Sequence, residues 1–301
     1  MKVLGIGESV IDNVSFLHSQ EAVEKHVGGP ILIGLILLSR LGIDCTLLTT
    51  LGRDEDASII KRLLKHERVN LLSKLQHKTK VNTILVNDQT GERKKVRGSV
   101  SHRNIKDLNR DFVRQFDLIL IDRHERLAFY EILKKKRESA KILIDPSTEV
   151  SPFTLDMIKY SDYPIVPIEA LTRIQGAKDI QECLRKLYAL CRKTLIVTAG
   201  DLGSLIYDGR IVKLIPAIHV KAIDANGAGD VYRGGFAYGI TQGWDLNRCA
   251  EYANCVAAIQ CTRLGNAAAI PTKKEIELCN NFFLAKKSVT LPTITDYFLK
   301  L

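Results

Sequence analysis

Apolar and polar positions along this chain follow two alternating patterns. Short runs of mostly apolar residues, such as KVLGIG at 2–7 and FDLILID at 116–122, predict buried strands. Longer segments with an apolar residue at every third or fourth position predict amphipathic helices, as in DEDASIIKRLLKHE at 54–67. Strands that alternate with helices favour a mostly parallel sheet covered by helices on both faces, so we expect an α/β fold.

The same two patterns extend along most of the chain, and its final third is mainly helical. Residues 203–217 predict a hairpin of two short strands. Further strands are predicted at 45–52, 140–145, 162–168 and 193–200. Further helices are predicted at 28–42, 125–139, 152–160, 177–192, 228–241, 245–263 and 272–286.

Residues 78–100 depart from this alternation of strands and helices. The segments KVNTILVND and ERKKVRGSV flank QTG, and each alternates apolar with polar side chains. This pattern predicts a hairpin with one exposed face. We therefore expect a small β lid, with strands within about 12–20 and 78–100, attached to one domain that covers residues 1–301.

The net charge of +10 is compatible with nucleic acids or with anionic small molecules as partners. The densest basic runs, at 93–97 and 134–137, contain no interleaved aromatic residues of the kind that bind single strands. We therefore expect no nucleic-acid partner. A nucleic-acid binder would also show steeply salt-dependent binding to unrelated sequences.

The longest apolar run is PILIGLILL at 30–38. It is much shorter than the ~20 residues that a membrane helix needs, so it predicts a buried helix and no membrane partner. The seven cysteines are odd in number and include no Cys-x-x-Cys pair, which favours reduced thiols over disulfides or structural zinc. Together these features predict a cytoplasmic protein.

The stretch DANGAGD at 224–230 carries the clearest chemistry. Small residues at a helix N-terminus let a phosphate approach the unpaired backbone N–H groups, so Gly227, Ala228 and Gly229 would form an anion hole. A carboxylate in the same turn makes sense if Asp230 takes a proton from a hydroxyl that attacks the phosphate. The alternative is an aspartate that only begins the helix after a glycine turn, and the spacing alone leaves both interpretations open.

DANGAGD resembles the Asp-Thr-x-Gly-Ala-Gly-Asp signature of the ribokinase-like carbohydrate kinases, the PfkB family. The resemblance implies a ribokinase-like three-layer α/β/α sandwich with a small β lid. It also implies ATP-dependent phosphorylation of a hydroxyl on a sugar-like substrate, with ATP and Mg²⁺ as cofactors. Further segments resemble the family in the expected order: GIGESVID at 5–12, GGPILIGLILLSRLG at 28–42, LGRDEDASIIKRLLKHERV at 51–69, TAGDLGSLIYDG at 198–209 and GNAAAIP at 265–271.

The resemblance also implies roles for individual residues. Asp230 would be the catalytic base, and Gly227, Ala228 and Gly229 would hold the transferring phosphoryl group. The residues expected at the nucleotide are Thr198, Gly200, Gly203, Asn226 and Asn254. The residues expected at the substrate are Asp12, Gly28, Gly29 and, on the lid, Arg93. The candidates for a metal site are Glu169 and Asp224, the latter also for a monovalent cation. A solvated lid charge is an equally good interpretation of Arg93.

Four departures from the family pattern involve six positions. Pro30 and Ile33 stand where the family has asparagines that contact the sugar, which argues against ribose because buried hydroxyls would lack partners. Ile168 and Leu171 replace the ends of an Asn-x-x-Glu pattern that organises magnesium and phosphate in the family. The remaining two departures are Ala225, in place of threonine, and Ser147, where asparagine is common.

These departures leave two interpretations. One is an active kinase whose acceptor is a sugar, a sugar phosphate, a nucleoside or a polyol. The other is a descendant of the family that binds a nucleotide or a sugar, in a regulatory role, without transferring phosphate. Retention of Asp230 beside an intact anion hole favours the kinase. Because lids of this family often pair between subunits, a homodimer through the lid is also expected.

Overall fold

A computed structural model describes residues 1–16, 23–86, 93–96, 98, 103–174 and 176–285. Its strands, in chain order, are β1 (Lys2–Ile6), β2 (Val10–Phe16), β3 (Glu24–Gly28), β4 (Asp44–Leu51), β5 (Asn70–Leu75), β6 (Lys80–Val86), β7 (Arg93–Val96), β8 (Leu118–Asp122), β9 (Lys141–Asp145), β10 (Tyr163–Pro167), β11 (Leu195–Thr198), β12 (Gly203–Tyr207) and β13 (Val212–Pro216). Its helices are α1 (Pro30–Arg40), α2 (Glu55–His66), α3 (Arg110–Val113), α4 (Arg126–Lys135), α5 (Pro152–Tyr160), α6 (Ile168–Leu171), α7 (Ile180–Cys191), α8 (Ala228–Thr241), α9 (Leu246–Cys261) and α10 (Lys273–Ala285).

The central sheet has nine strands in the order β13-β12-β11-β10-β9-β8-β1-β4-β5. The seven strands from β11 to β5 run parallel to their neighbours, and β12 and β13 complete the other edge as an antiparallel hairpin. The mostly parallel sheet and the hairpin at 203–217 are both confirmed. Since parallel strands all end at one edge, the loops that follow β1, β8, β9, β10 and β11 gather there, where α/β folds bind their ligands.

Helices cover both faces of this sheet, which confirms the three-layer α/β/α sandwich. Strand β1 shows the alternation: Val3 belongs to the apolar cluster beneath α1, α2, α8 and α9, whereas Leu4 and Ile6 belong to the cluster beneath α4, α5 and α7. Both faces are therefore dry, as a parallel sheet requires. Within the described ranges, no helix is both long and apolar enough to cross a membrane.

A second sheet of four strands, in the order β3-β2-β6-β7, forms the lid. Strands β6 and β7 pair antiparallel, which confirms the hairpin predicted at 78–100, and β6 pairs parallel with β2. The sequence analysis did not predict β3 or β5, which have few buried side chains. The parts of the predicted lid at 17–20, 87–92, 97 and 99–100 fall outside the described residues.

Two glycines let α1 and α8 pack backbone against backbone. A Cβ atom on Gly234 of α8 would lie 2.9 Å from the carbonyl oxygen of Gly34 and 3.0 Å from its Cα. A Cβ atom on Gly34 of α1 would lie 3.4 Å from the carbonyl oxygen of Asp230, an ordinary van der Waals contact. The first turn of α8 is thus held directly against α1.

This asymmetry predicts opposite effects of alanine at the two glycines. Gly234→Ala forces backbone atoms apart and is expected to lower the free energy of unfolding by about 1–3 kcal/mol. Gly34→Ala meets no close contact and gains helix propensity, so it is expected to be neutral or to stabilise by up to about 1 kcal/mol. Urea unfolding of both variants measures the difference, and equal effects at the two positions would contradict the packing described.

Candidate active site

A cleft of about 210 Å³ opens at the carboxyl edge of the central sheet, beneath the lid. Its walls come from the segment after β1, strands β2 and β6 of the lid, the ends of β8 and β9, and the turn that begins α8. Four residues predicted from the sequence line it: Asp12, Gly29, Asn226 and Asp230. The structure therefore brings residues from both ends of the chain to one cavity.

The glycine turn before α8 is held by a buried carboxylate. Asp224 accepts the Asn226 N–H through Oδ1 at 2.8 Å and the Gly265 N–H through Oδ2 at 3.1 Å. Gly227 then adopts a left-handed conformation with φ of 77°, and a side chain there would collide with the side-chain oxygen of Asn266. Only glycine fits this position, because it needs both a positive φ and the absence of a Cβ atom.

Helix α8 begins at this turn, and Asn226 and Asp230 line the cleft, whereas Gly227, Ala228 and Gly229 lie outside the set of cleft-lining residues. Amides in the first turn of a helix lack partners within the helix and carry a partial positive charge. Ala228 donates its N–H to the carbonyl oxygen of Ala225 at 3.2 Å, so the loop itself uses one of the three predicted anion-binding amides. Asp230 is the third residue of α8, and its side chain is 20% exposed. A carboxylate thus lies in the first turn of α8, and anion binding at this helix N-terminus stays a prediction.

The lid side of the cleft is a network of polar side chains. Buried Asp12 accepts a hydrogen bond from the Asn82 amide at 2.8 Å, and Lys80 donates to Glu8. The His124 ring lies across the same carboxylate, with Nε2 3.6 Å from Glu8 Oε2. Carboxylates, an amide and an ammonium group together match the donors and acceptors of a hydroxyl-rich ligand.

The sequence analysis missed most of this network. Glu8 lies in the same GIGESVID stretch as Asp12. Lys80 and Asn82 are two residues apart in a predicted lid strand and therefore share one face of it. The sequence thus offered a signal for these three residues. His124 also lines the cleft, and the sequence analysis did not single it out.

The glycine pair at the start of α1 forms one rim of the cleft. A Cβ atom on Gly28 would lie 2.9 Å from Asp12 Oδ2, and a Cβ atom on Gly29, whose φ is 125°, would collide with the carbonyl oxygen of Glu8. Pro30 lines the cleft, whereas Ile33 is fully buried in the apolar core. The segment before α1 therefore borders the cleft mainly through backbone atoms. Arg93 begins β7, and its side chain falls outside the described part of the chain.

Three of the five residues predicted at the nucleotide lie between the end of β11 and the start of β12. Thr198 ends β11, Gly200 follows with φ of 56°, and a side chain on Gly203 would collide with the carbonyl oxygen of Ile215. Asn254 is buried in α9. Its amide donates to the carbonyl oxygens of Ile215 and Pro216 at 3.0 Å and accepts from Ser204 at 2.8 Å. The Asn254 side chain thus fixes the β12–β13 hairpin, and its contact with a nucleotide stays a prediction.

In the described part of the chain, neither metal candidate belongs to a group of metal-ligating side chains. Glu169 is exposed in α6 and lies outside the set of cleft-lining residues, while Ile168 and Leu171 pack into the apolar core. Both oxygens of Asp224 accept backbone N–H groups. Among the described residues, no three His, Cys, Asp or Glu side chains are grouped to hold a metal ion. The segment 168–171 therefore does not fit a magnesium ion held by the protein.

A buried ion pair that includes the cleft-lining Asp145 was not predicted. Arg233 of α8 contacts Asp145 at the end of β9, with Nη2 2.8 Å from Oδ1. The same Asp145 oxygen accepts the Ser147 N–H at 2.8 Å. Asp145 therefore also holds the turn that follows β9. The available signal was Arg233 itself, the single charged residue in the otherwise small and apolar stretch VYRGGFAYGI at 231–240.

Asp122, the last residue of β8, accepts the N–H groups of Glu8 and His124 at 2.8 and 2.9 Å. Burial, followed by the negative charge of Glu125, raises the pKa of Asp122 well above its usual value. A carboxyl whose pKa is raised by folding holds its proton more tightly in the folded state. Its ionisation therefore lowers stability as the pH rises from its ordinary value of 3.8 through the raised pKa.

Asp122→Asn is expected to remove this dependence on pH. As the pH rises from about 4 to 8, the free energy of unfolding of the wild-type protein should fall relative to that of the variant. Urea unfolding of both proteins at several pH values measures the difference. A hydrogen bond lost in the variant would add a constant offset, so the slope decides, and a difference that does not vary with pH would contradict the interpretation.

This chain is similar in sequence to known kinases. The model of the pfkB family carbohydrate kinase matches residues 2–273. The chain is 30% identical to the ribokinase of Lactococcus lactis over 142 residues, which are 47% of this chain and 46% of that protein, so this match spans about half of the relative. It is 24% identical to the nucleoside kinase of Methanocaldococcus jannaschii over 261 residues, 83% of this chain and 84% of that protein.

The fold is also that of a solved structure. The ribokinase of Arabidopsis thaliana, complexed with ribose and ATP, superposes with a TM-score of 0.82 at 16% identity, over 93% of this chain and 98% of that chain. The ribokinase-like fold expected from the resemblance is thereby confirmed. Because the family model extends over almost the whole chain, from β1 to the start of α10, this chain belongs to the pfkB family of carbohydrate kinases.

Proposed function

We propose that this chain is an ATP-dependent kinase that moves the γ-phosphate to a hydroxyl of a sugar or a sugar-like small molecule. The observation that carries the proposal is the Asp230 carboxylate in the first turn of α8, beside the glycine turn and open to a polar cleft. Family membership and the Arabidopsis thaliana complex support ATP as the phosphate donor. Mg²⁺ enters with the nucleotide as part of the substrate.

In the proposed reaction, the acceptor hydroxyl lies against Asp230, and the γ-phosphate lies at the N-terminus of α8. The hydroxyl oxygen forms a bond to the γ-phosphorus while the bond to the β,γ-bridging oxygen breaks. The hydroxyl proton passes to Asp230, and ADP leaves with the electron pair of the broken bond. The first-turn amides and the helix dipole stabilise the negative charge of the phosphoryl group.

The cleft supports a small polyhydroxylated acceptor. Its volume of about 210 Å³ is below the ~300–1,000 Å³ of sites that enclose drug-sized ligands, which favours a single sugar ring or polyol over a nucleoside. Asp12 and Asn82 offer a fixed carboxylate–amide pair to hydroxyl groups, and Lys80 with His124 would tolerate an anionic substituent. Sugars and sugar phosphates are thus the first acceptors to test.

A non-catalytic nucleotide- or sugar-binding protein is the alternative of another class. It would bind ATP, yet no acceptor would increase ADP formation. A homodimer through the lid, a monovalent cation at Asp224, an Arg93 contact with the substrate and a cytoplasmic location all stay predictions beside this proposal.

Asp230→Asn is expected to lower kcat about 10²–10⁴-fold, because the amide cannot accept the hydroxyl proton. ADP release from Mg-ATP is measured with sugars, sugar phosphates, nucleosides and polyols. The matched control is Asp111→Asn, the same chemical change at an exposed position in α3, and it should keep full activity.

Acceptor-dependent ADP formation that is lost in Asp230→Asn and kept in Asp111→Asn would support the kinase and identify its acceptor class. Full turnover by Asp230→Asn with a true acceptor would exclude Asp230 as the base. ATP binding without ADP formation across the panel would instead favour the non-catalytic alternative.

A further inference from the structure

Helix α8 carries one buried arginine close to its N-terminus. Arg233 is 6% exposed, and the nine other residues of 231–240 are uncharged. A guanidinium is costly to bury unless charged or polar groups face it, so its position needs a physical reason. Long side chains in a helix point toward its N-terminus, which directs Arg233 to the turn that contains Asp230.

Two carboxylates face this guanidinium, and they are not equivalent. Nη2 lies 2.8 Å from Asp145 Oδ1, whereas Nη1 lies 3.8 Å from Asp230 Oδ1, beyond hydrogen-bond distance. Within the described part of the chain, the buried Nε of Arg233 has no hydrogen-bond partner. Asp145 therefore anchors the guanidinium, which keeps donor capacity on its other side.

That other side lies at the proposed phosphate position. A Cβ atom on Gly229 would be 3.3 Å from Arg233 Nη1, so the guanidinium edge runs along the backbone of the first turn of α8. An anion bound to the first-turn amides beside Asp230 would therefore lie next to Nη1. Two cations that line the cleft already have carboxylate partners, since Lys80 pairs with Glu8 and Arg123 with Glu149.

We infer that the Arg233 guanidinium contacts the transferring phosphoryl group and stabilises its charge during transfer, an inference that rests on the proposed function. During transfer the acceptor oxygen bonds to the γ-phosphorus, the bond to the β,γ-bridging oxygen breaks, and the hydroxyl proton goes to Asp230.

The contact also accounts for the composition of the site. Asp145 and Asp230 alone would repel a triphosphate, and segment 168–171 supplies only an exposed glutamate and apolar side chains. A fixed guanidinium between the two carboxylates offsets their charge and adds planar donors that match phosphate geometry. The ion pair with Asp145 holds these donors in place before the substrate arrives.

Arg233→Gln tests the contact by removing the charge and keeping a polar side chain. We expect kcat to fall about 10²–10³-fold, as when one donor to a developing anion is lost, with the acceptor KM changed less than about threefold. Arg233→Lys should recover part of kcat, since it restores the charge but not the planar fork. The matched control is Arg40→Gln, which breaks the partly buried ion pair with Glu67 outside the cleft and should keep kcat even where it lowers Tm.

A binding measurement separates this contact from the transfer reaction. Calorimetry gives the Kd values of Mg-ATP and Mg-ADP, and their ratio reports the interaction with the γ-phosphate. In Arg233→Gln the preference for ATP over ADP should fall about tenfold or more, while the affinity for Mg-ADP stays unchanged. If Arg233→Gln does not fold, the double variant D145N/R233Q, which leaves no lone buried carboxylate, takes its place in both measurements.

The outcomes distinguish the two proposals. A wild-type protein that forms no ADP with any acceptor, but whose preference for ATP depends on Arg233, would overturn the kinase and support the phosphate contact. An active kinase in which Arg233→Gln keeps kcat within about threefold and an unchanged ATP/ADP ratio would overturn the contact and leave the kinase standing.

Discussion

The geometry of the candidate site depends on the buried carboxylate of Asp224. Its two oxygens accept N–H groups from the turn before α8 and from the segment after α9, so one side chain joins both sides of the glycine turn. This contact lets Gly227 hold a left-handed conformation against Asn266. Because α8 begins at that turn, the direction of its N-terminus and the position of Asp230 both follow from it.

Most of the fold could be predicted because its strands and helices bury continuous or periodic apolar surface. The two strands that were missed lack that signal. Strand β5 is the last strand of the central sheet, and four of its six residues are exposed, so its side chains form no buried apolar run. Strand β3, EKHVG, lies at the edge of the lid, and its first two residues are exposed. Edge strands are defined by their pairing partner, which a single sequence does not reveal.

The site residues divide in the same way: some are predictable from their neighbours in sequence, and others only from contacts between distant segments. Asp230 and its glycines were predictable because one contiguous stretch carries them and helix physics gives that stretch a chemical meaning. Asn82 can be recognised as a site residue only from the parallel pairing of β6 with β2, because that register places it opposite Asp12. Arg233 and Asp145 lie far apart in sequence, and only the packing of α8 on the sheet brings them together. Spacing along the chain contains neither of these contacts.

Strand β1 lies inside the nine-stranded sheet, although residues 2–6 form it. Leu4 pairs with Thr46 of β4 on one side and with Ile119 of β8 on the other. The second pairing must close a long loop, which costs entropy and slows folding. During synthesis from the N-terminus, β1 therefore has one unpaired edge until β8 has left the ribosome. Leu4 and Ile6 stay exposed until the helices that bury them have been made. An interior strand of the sheet is thus the first of its strands to be made, yet it gains its second neighbour only when β8 follows.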